Sequence, residues 1–443
     1  MNPAAESPYN VQVGGLVAVP FGILPPYMGI NYSNNSFYYN HIFHKGVGND
    51  HNNLILDLNL LMSNLKKNTR LRLGTDLEII NVGVKIGDRF LTVSLADKVR
   101  FGLSLPYDFM GLVINGNMDY MNRGMDHDLK KLDLNLTYYR ELAIGSTIIA
   151  TDKFRIGARV KFLFGLLNIN TYVDDLKAYT NPENYVITFI SDMKIKASSP
   201  IPIDYVANDS VTKFGLNEEI KNITNVGDFL LNFNNFGLGL DLGFTYKLND
   251  DLEFFGSLND IGFITWSTNP QEFKNNGNFE FSGIKFETDE NGKILVDDFI
   301  GTLKDSLENT FRFQNNDIRK YTTGLTSTLY LGGKYNIHEK FNVGMVYRGE
   351  IYRKSYLQSL TLLGSSDLTN WFSAHVSYSI SNNSFTNLGL GISIRAGFLN
   401  WFFVSDNIIG TIFPQKAKTL NLRMGCNMVF GYEKPQKVKK ARY

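Results

Sequence analysis

Residues 153–165 read KFRIGARVKFLFG, and their alternation decides the fold. Phe154, Ile156, Ala158, Val160, Phe162 and Phe164 share one side of an extended chain, while Lys153, Arg155, Gly157, Arg159 and Lys161 share the other. A period of two over this length marks a strand with one apolar and one polar face, because successive side chains of a strand point to opposite faces. The pattern returns at 236–248, FGLGLDLGFTYKL, where Phe236, Leu238, Leu240, Leu242, Phe244 and Tyr246 oppose Gly237, Gly239, Asp241, Gly243 and Thr245. Leu388, Leu390, Ile392 and Ile394 alternate with Gly389, Gly391, Ser393 and Arg395. The last run sets Leu420, Leu422, Met424, Cys426, Met428 and Phe430 against Asn421, Arg423, Gly425 and Asn427.

Similar runs occupy 69–86, 89–105, 130–147, 252–269, 318–336, 340–362 and 370–382. In the first of these the apolar parity changes on the way to Val82, which calls for an inserted residue near Ile80, a β-bulge. Strands of soluble sheets usually have about 5 to 6 residues. Runs of about 13 to 20 residues exceed the roughly 9 to 11 needed to cross a bilayer at a tilt. Gly, Ser, Asn, Arg and Lys opposite the apolar face suit a wet lumen and would fill a dry core poorly. Short turns at Gly87-Asp88, Ala150-Thr151-Asp152, Asn249-Asp250-Asp251, His338-Glu339 and Asn382-Asn383-Ser384 contrast with long connections near 106–129, 172–235 and 270–317. The expected fold is therefore all-β, a transmembrane antiparallel β-barrel filling residues 1–443 as one domain. Taking 27–44 as the first strand gives twelve strands as a minimum, and adding 184–198 and 277–287 gives about fourteen.

Composition fits that reading. The 443 residues carry 44 Lys+Arg against 43 Asp+Glu, a net charge of +1, so no nucleic-acid partner is called for. A single Cys, Cys426, excludes an intramolecular disulfide and a Cys-based zinc site. Aromatic residues make up 13%, with 39 Gly and 48 Asn, and the mean hydropathy of −0.15 averages an apolar outside with a polar inside. The longest charge-free stretch, 7–44, is broken by Pro20, Pro25 and Pro26 and offers no transmembrane helix. The opening Met-Asn-Pro-Ala-Ala shows no signal peptide, so an exported chain is expected to start elsewhere in its precursor. Helical spacing occurs only at 54–66 and 295–309, each a candidate lumen or mouth helix.

Candidate chemistry is sparse. His41, His44 and His51 are spaced as a metal site could be, but read more simply as exposed residues of an Asn-rich strand and loop, and no metal or other cofactor is assigned. Asp289-Glu290-Asn291-Gly292 lacks the sixth-position Gly and closing Glu of a calcium loop and reads as a turn. No residue has the setting of an activated nucleophile, so no enzyme is expected. Arg155, Arg159 and Lys161 form a basic ladder that should face inward, joined by Arg395 and Arg423 from later strands, because each would cost about 2–4 kcal/mol facing lipid at mid-bilayer. Asp133 and Asp241 are the expected partners, with Asp260 and Asp406 as further lumen acids. Arg140 has outward parity, which requires a bulge or a place near the membrane edge. Tyr138, Tyr246, Trp266, Trp371 and Trp401 are candidates for interfacial girdles. The tail 433–443, EKPQKVKKARY, reads as a solvated basic end or a contact for envelope protein partners.

The opening Asn2-Pro3-Ala4 and the Pro-rich stretch after it resemble the N-terminal region of FadL-like and PorV-like outer-membrane proteins. Leu105-Pro106-Tyr107-Asp108, the run Leu258 to Trp266, and Phe403 to Ile408 followed by Lys418 to Gly431 look like one Bacteroidota outer-membrane family of unassigned function. The resemblance implies a barrel of about fourteen strands in the outer membrane, with residues 1–26 as a plug carrying Asn2, Pro3 and Ala4. It supplies no catalytic residues. Two functions follow as expectations. One is passive passage or binding of a small hydrophobic or amphipathic ligand, with membrane lipids around the wall and an apolar pocket near residues 10–30. The other is a non-transporting scaffold in an envelope complex.

Overall fold

Fourteen antiparallel wall positions close on themselves. The computed structural model describes residues 2–5, 7–15, 27–45, 54–116, 126–200, 203–208, 211–216, 231–281, 313–352, 355–381 and 384–432. The first position is shared by β1 (Tyr9–Gly15) and β2 (Met28–Asn34), each paired on one side with β3 (Asn68–Ile86). The wall continues through β4 (Arg89–Pro106), β5 (Asp133–Ile149) and β6 (Phe154–Thr180). Between β5 and β6 and the later wall, β7 (Ile187–Ser198) precedes β8 (Phe236–Lys247) and β9 (Leu252–Trp266). After β10 (Gln271–Phe281) and β11 (Tyr321–Gly324) come β12 (Ser327–His338), β13 (Phe341–Tyr352) and β14 (Ser355–Asp367). The circuit ends with β15 (Phe372–Ser381), β16 (Ser384–Ala396), β17 (Leu399–Ser405) and β18 (Thr419–Tyr432), which pairs back onto β1 and β2.

The count of fourteen arises differently from the expectation. The run 340–362 is two strands, β13 and β14, with Tyr352 paired directly to Ser355, and 399–405 adds β17. Across the first turn the outward parity switches, from Ile351 to Tyr356, which in sequence reads like a bulge within one strand, and 399–405 is only seven residues long. The reversal also moves the Asn382-Asn383-Ser384 turn to the end of the barrel that carries the long connections. Segment 184–198 adds no wall position. As β7 it pairs with the far half of β6 and with β10, forming a sheet stacked beyond β8. Its core is Leu176, Ala178, Phe189, Met193 and Phe273.

Outward positions are apolar and exposed: Val93, Ile144, Val160, Leu242, Leu331, Met345, Leu362 and Val376 are all at least 42% exposed. From Phe154 to Phe164 the outward face makes ten steps of about 3.3 Å, which at a tilt near 40° is roughly 25 Å, the height of a bilayer's apolar band. The bulge expected near Ile80 is present as a register shift between Glu78 and Ile80. Exposed Tyr246, Tyr335, Phe341, Trp371 and Tyr432 ring the short-turn end. Trp266 is no part of a girdle. It is fully buried with Leu163, Ile264 and Tyr321, and its indole donates to Thr323 Oγ1 at 2.8 Å. No helix among the described residues is long and apolar enough to cross a membrane.

Of the expected helical stretch 54–66, residues Leu54–Leu56 are extended and Leu58–Asn64 form helix α1, with Asp57 accepting from the Leu60 amide at 2.9 Å. The stretch 295–309, the turn at 289–292, His51, residues 16–26 and the tail 433–443 lie outside the described residues.

Candidate functional site

The barrel encloses a cavity of about 1160 Å³. Its deep lining comes from inward parities: Lys98 and Arg100 on β4, Glu141 on β5, Arg159 and Lys161 on β6, Asp241 on β8, Arg348 and Glu350 on β13, and Arg423 on β18. Between these charges Val346, Leu357 and Val404, on the same inward parities, contribute apolar surface.

At its centre Lys161 is buried to 2% exposure, with its Nζ 2.8 Å from Asp241 Oδ1, 2.5 Å from Asp260 Oδ1 and 3.6 Å from Glu141 Oε2. Lys98 Nζ reaches the same Glu141 at 2.8 Å, and Arg159 reaches Asp241 at 3.6 Å. A bulge between β8 and β9 aims Asp260 inward: the register shifts between Leu240 and Leu242, and Asp260 takes φ 60°. Its amide donates to Asp241 Oδ1 at 2.7 Å, so the extra residue is held by the group it neighbours. Elsewhere Arg100 pairs with Asp76 at 2.5 Å and Arg72 with Glu350 at 2.6 Å, and Arg348 also contacts Glu350.

Of the expected basic ladder, Arg159 and Lys161 are neutralised where they lie deep. Arg159, Lys161, Asp241 and Arg423 come together in the cavity, whereas Arg155 and Arg395 do not line it. Arg155 lies nearer the short-turn end, opposite Ile149 and Thr245. Arg395 stacks on the Tyr432 ring at 4.6 Å beside a separate cleft of about 340 Å³. Asp133 is a mouth residue that accepts from Thr171 Oγ1 at 3.3 Å. Glu141, Lys98, Arg100, Arg348 and Glu350 were not singled out from sequence. Strand parity carried the signal, since Lys98 and Arg100 alternate with Val99 and Phe101 and Arg348 and Glu350 with Tyr347, Gly349 and Ile351. Where the cavity meets described residues of the 10–30 stretch, at Tyr27, its surroundings are polar and charged rather than apolar.

Asn2, Pro3 and Ala4 sit inside the short-turn end. Asn2 Nδ2 donates to Phe244 O at 3.0 Å, Thr147 Oγ1 donates to Pro3 O at 2.6 Å, and Ala4 is fully buried. Gly157 and Gly243 make the room, since a Cβ at either position would collide with Pro3 O or Asn2 Oδ1. On the outer face Arg140 forms a two-pronged pair with Asp97 at 2.6 and 2.8 Å, next to a register shift at Tyr138/Tyr139. No group of three or more potential metal ligands occurs among the described residues.

A family model matches residues 16–406. The chain belongs to the Family of unknown function (DUF5723). Among solved structures, this DUF5723 barrel is similar to the Ralstonia pickettii toluene transporter TbuX, at 9% identity over 97% of this chain and 92% of that one, with a TM-score of 0.43. It is also similar to the P. putida toluene transporter TodX (10% identity, 98% and 93% covered, TM-score 0.40) and to a Pseudomonas aeruginosa FadL homologue (9%, 97% and 93%, 0.41). No curated protein matches the DUF5723 chain.

Proposed function

We propose that this protein is an outer-membrane barrel that admits small amphipathic molecules into its lumen and lets them pass without energy input. The observation that supports this reading is the cavity itself. It combines inward apolar side chains, Val346, Leu357 and Val404, with a deep girdle of ion pairs, inside a wall whose outer face is apolar. A site with apolar and charged surface side by side favours molecules built the same way over purely hydrophobic ones. Asn2, Pro3 and Ala4 narrow the short-turn end, so passage depends on that segment or on a path beside it. The charged girdle is balanced, which supports selection by shape and by paired charges rather than by a single sign. No catalytic step is part of the proposal.

The test is swelling of liposomes carrying the purified barrel, with solutes graded by size and amphipathicity. Small amphipathic solutes should enter faster than into protein-free vesicles, with no gradient or nucleotide supplied. Equal rates with and without protein, together with no detectable solute binding, would sink the reading.

A further inference from the structure

The deep lumen leaves one guanidinium open. Arg72, Lys98, Arg100, Arg159, Lys161 and Arg348 each have a carboxylate within ion-pair distance. Arg423, which lines the same cavity, has no such partner among the described residues. Asp406 also lines the cavity and has no cation within ion-pair distance among the described residues. A charge held in a lumen without a close ion pair retains capacity for one, because partial removal from water is costly and charges beyond contact distance repay it only in part.

The two open charges are neighbours on one face. Arg423 on β18 pairs across with Val404 on β17, and the Asp406 amide donates to Asn421 O at 3.1 Å, so Asp406 and Arg423 are diagonal positions of the sheet. Diagonal positions have side-chain origins about 7–8 Å apart, yet the guanidinium and the carboxylate do not close on each other. On the other side of Arg423 the neighbour is Gly29, and the space above it is bordered by the Asp76 carboxylate and the Tyr27 hydroxyl. One step toward the short-turn end, the Tyr27 and Phe402 rings lie 5.9 Å apart over Gly425, and Tyr27 lines the cavity beside the charges.

We infer that Arg423 and Asp406 form a clamp for a zwitterion, an α-amino acid with an apolar side chain. Arg423 takes the carboxylate in a two-pronged charge-assisted contact, Asp406 takes the ammonium, and the side chain lies toward Tyr27 and Phe402. The inference rests on the lumen being open to solutes, as proposed above, and adds which solute it holds.

The probe is L-phenylalanine, titrated by calorimetry into the full barrel in detergent beside 3-phenylpropanoate, which lacks the ammonium, and phenethylamine, which lacks the carboxylate. Phenylalanine should bind at least tenfold more tightly than either. Arg423→Gln should remove that advantage over phenethylamine, and Asp406→Asn the advantage over 3-phenylpropanoate. Heat-modifiable gel migration checks that both variants fold, and Arg423→Lys, which keeps the charge but not the fork, should recover part of the affinity if the first variant is misfolded. A flat phenylalanine titration, or equal binding of all three probes, overturns the clamp. Liposome swelling of the parent barrel with a small amphipathic solute that is not an amino acid separates the two failures: swelling with no phenylalanine binding defeats the clamp alone, and no swelling defeats the channel.

Discussion

At the scale of single residues, the lumen is governed by what buried charges require. Lys161 holds Asp241 and Asp260 together, and both it and Asp241 are 2% exposed. Removing one partner of such a cluster leaves the others charged and unmatched. Lys161→Met should therefore cost about 3–5 kcal/mol in denaturant unfolding, and adding Asp241→Asn should return part of that loss. An unchanged midpoint for the single variant would mean that water already serves these carboxylates. Parity in the sequence was enough to turn Arg159, Lys161, Asp241 and Arg423 inward. Apart from Asp241 it could not name their partners, because Lys161 meets Asp260 across 99 positions and Arg72 meets Glu350 across 278. Which strand stands opposite another is set by the closure of the wall, and no local pattern carries that. The N-terminal turn makes a second residue-scale prediction. Gly157→Leu fills the notch under Pro3 and should expel Asn2–Ala4. A Cys placed at Ala4 should then react with a maleimide several-fold faster than in the parent, where Ala4 is fully buried.

At the scale of elements, the strands explain where a charge can face outward. Arg140 sits on the outward parity of β5 at the level of Phe164, ten residues above the start of β6, where the roughly 25 Å apolar band ends. Asp97 on β4 is its direct cross-strand partner, and the Tyr138 hydroxyl donates to Asp97 at 3.3 Å. The sequence showed the misfit of Arg140 with its neighbours but not the remedy, which again lies on another strand. Asp97→Ala should destabilise the barrel by about 1–3 kcal/mol, while Asp97→Leu with Arg140→Leu should stay within about 1 kcal/mol of the parent, since a pair removed whole leaves no orphan. Beyond the band, the extended half of β6 behaves as a soluble sheet. There His127 pairs with Ala178 and is buried to 1% exposure. Burial holds its imidazole below the usual histidine range, against the pull of Asp108 and Asp126. A lowered value means the folded form binds fewer protons than the unfolded one. Stability from this site is thus full above the ordinary histidine pKa of about 6.5 and falls as the pH drops below it. Exchange of the Leu129 amide, bonded to Leu176 O at 2.9 Å, should accelerate from pH 7.5 to pH 5 after correction for intrinsic rates, and His127→Phe should flatten the response.

At the scale of the whole molecule, one rule read from thirteen residues, apolar outward and polar inward, accounts for the closed wall. It also explains what stayed hidden. A chain that reverses between Tyr352 and Ser355, as from β13 to β14, shifts its parity as a bulge would and looks like one long strand, and a sheet stacked above the wall, as with β7 and β10, looks like more of it. Both ambiguities concern where the chain turns, whereas the two-faced pattern concerns what surrounds it. That pattern yields a prediction about depth. Val160 is 45% exposed on the outward face near the middle of the band, and Ile337 is 63% exposed at the short-turn end. In water, an exposed Val→Arg or Ile→Arg substitution is nearly neutral. In a bilayer the cost depends on height, about 2–4 kcal/mol at the midplane and about 0–1 kcal/mol near the interface. Unfolding in lipid vesicles should therefore show Val160→Arg clearly destabilised and Ile337→Arg barely changed. Equal and negligible costs at the two sites would mean that the apolar face of this wall does not meet acyl chains, and the membrane reading of the barrel would fall with it.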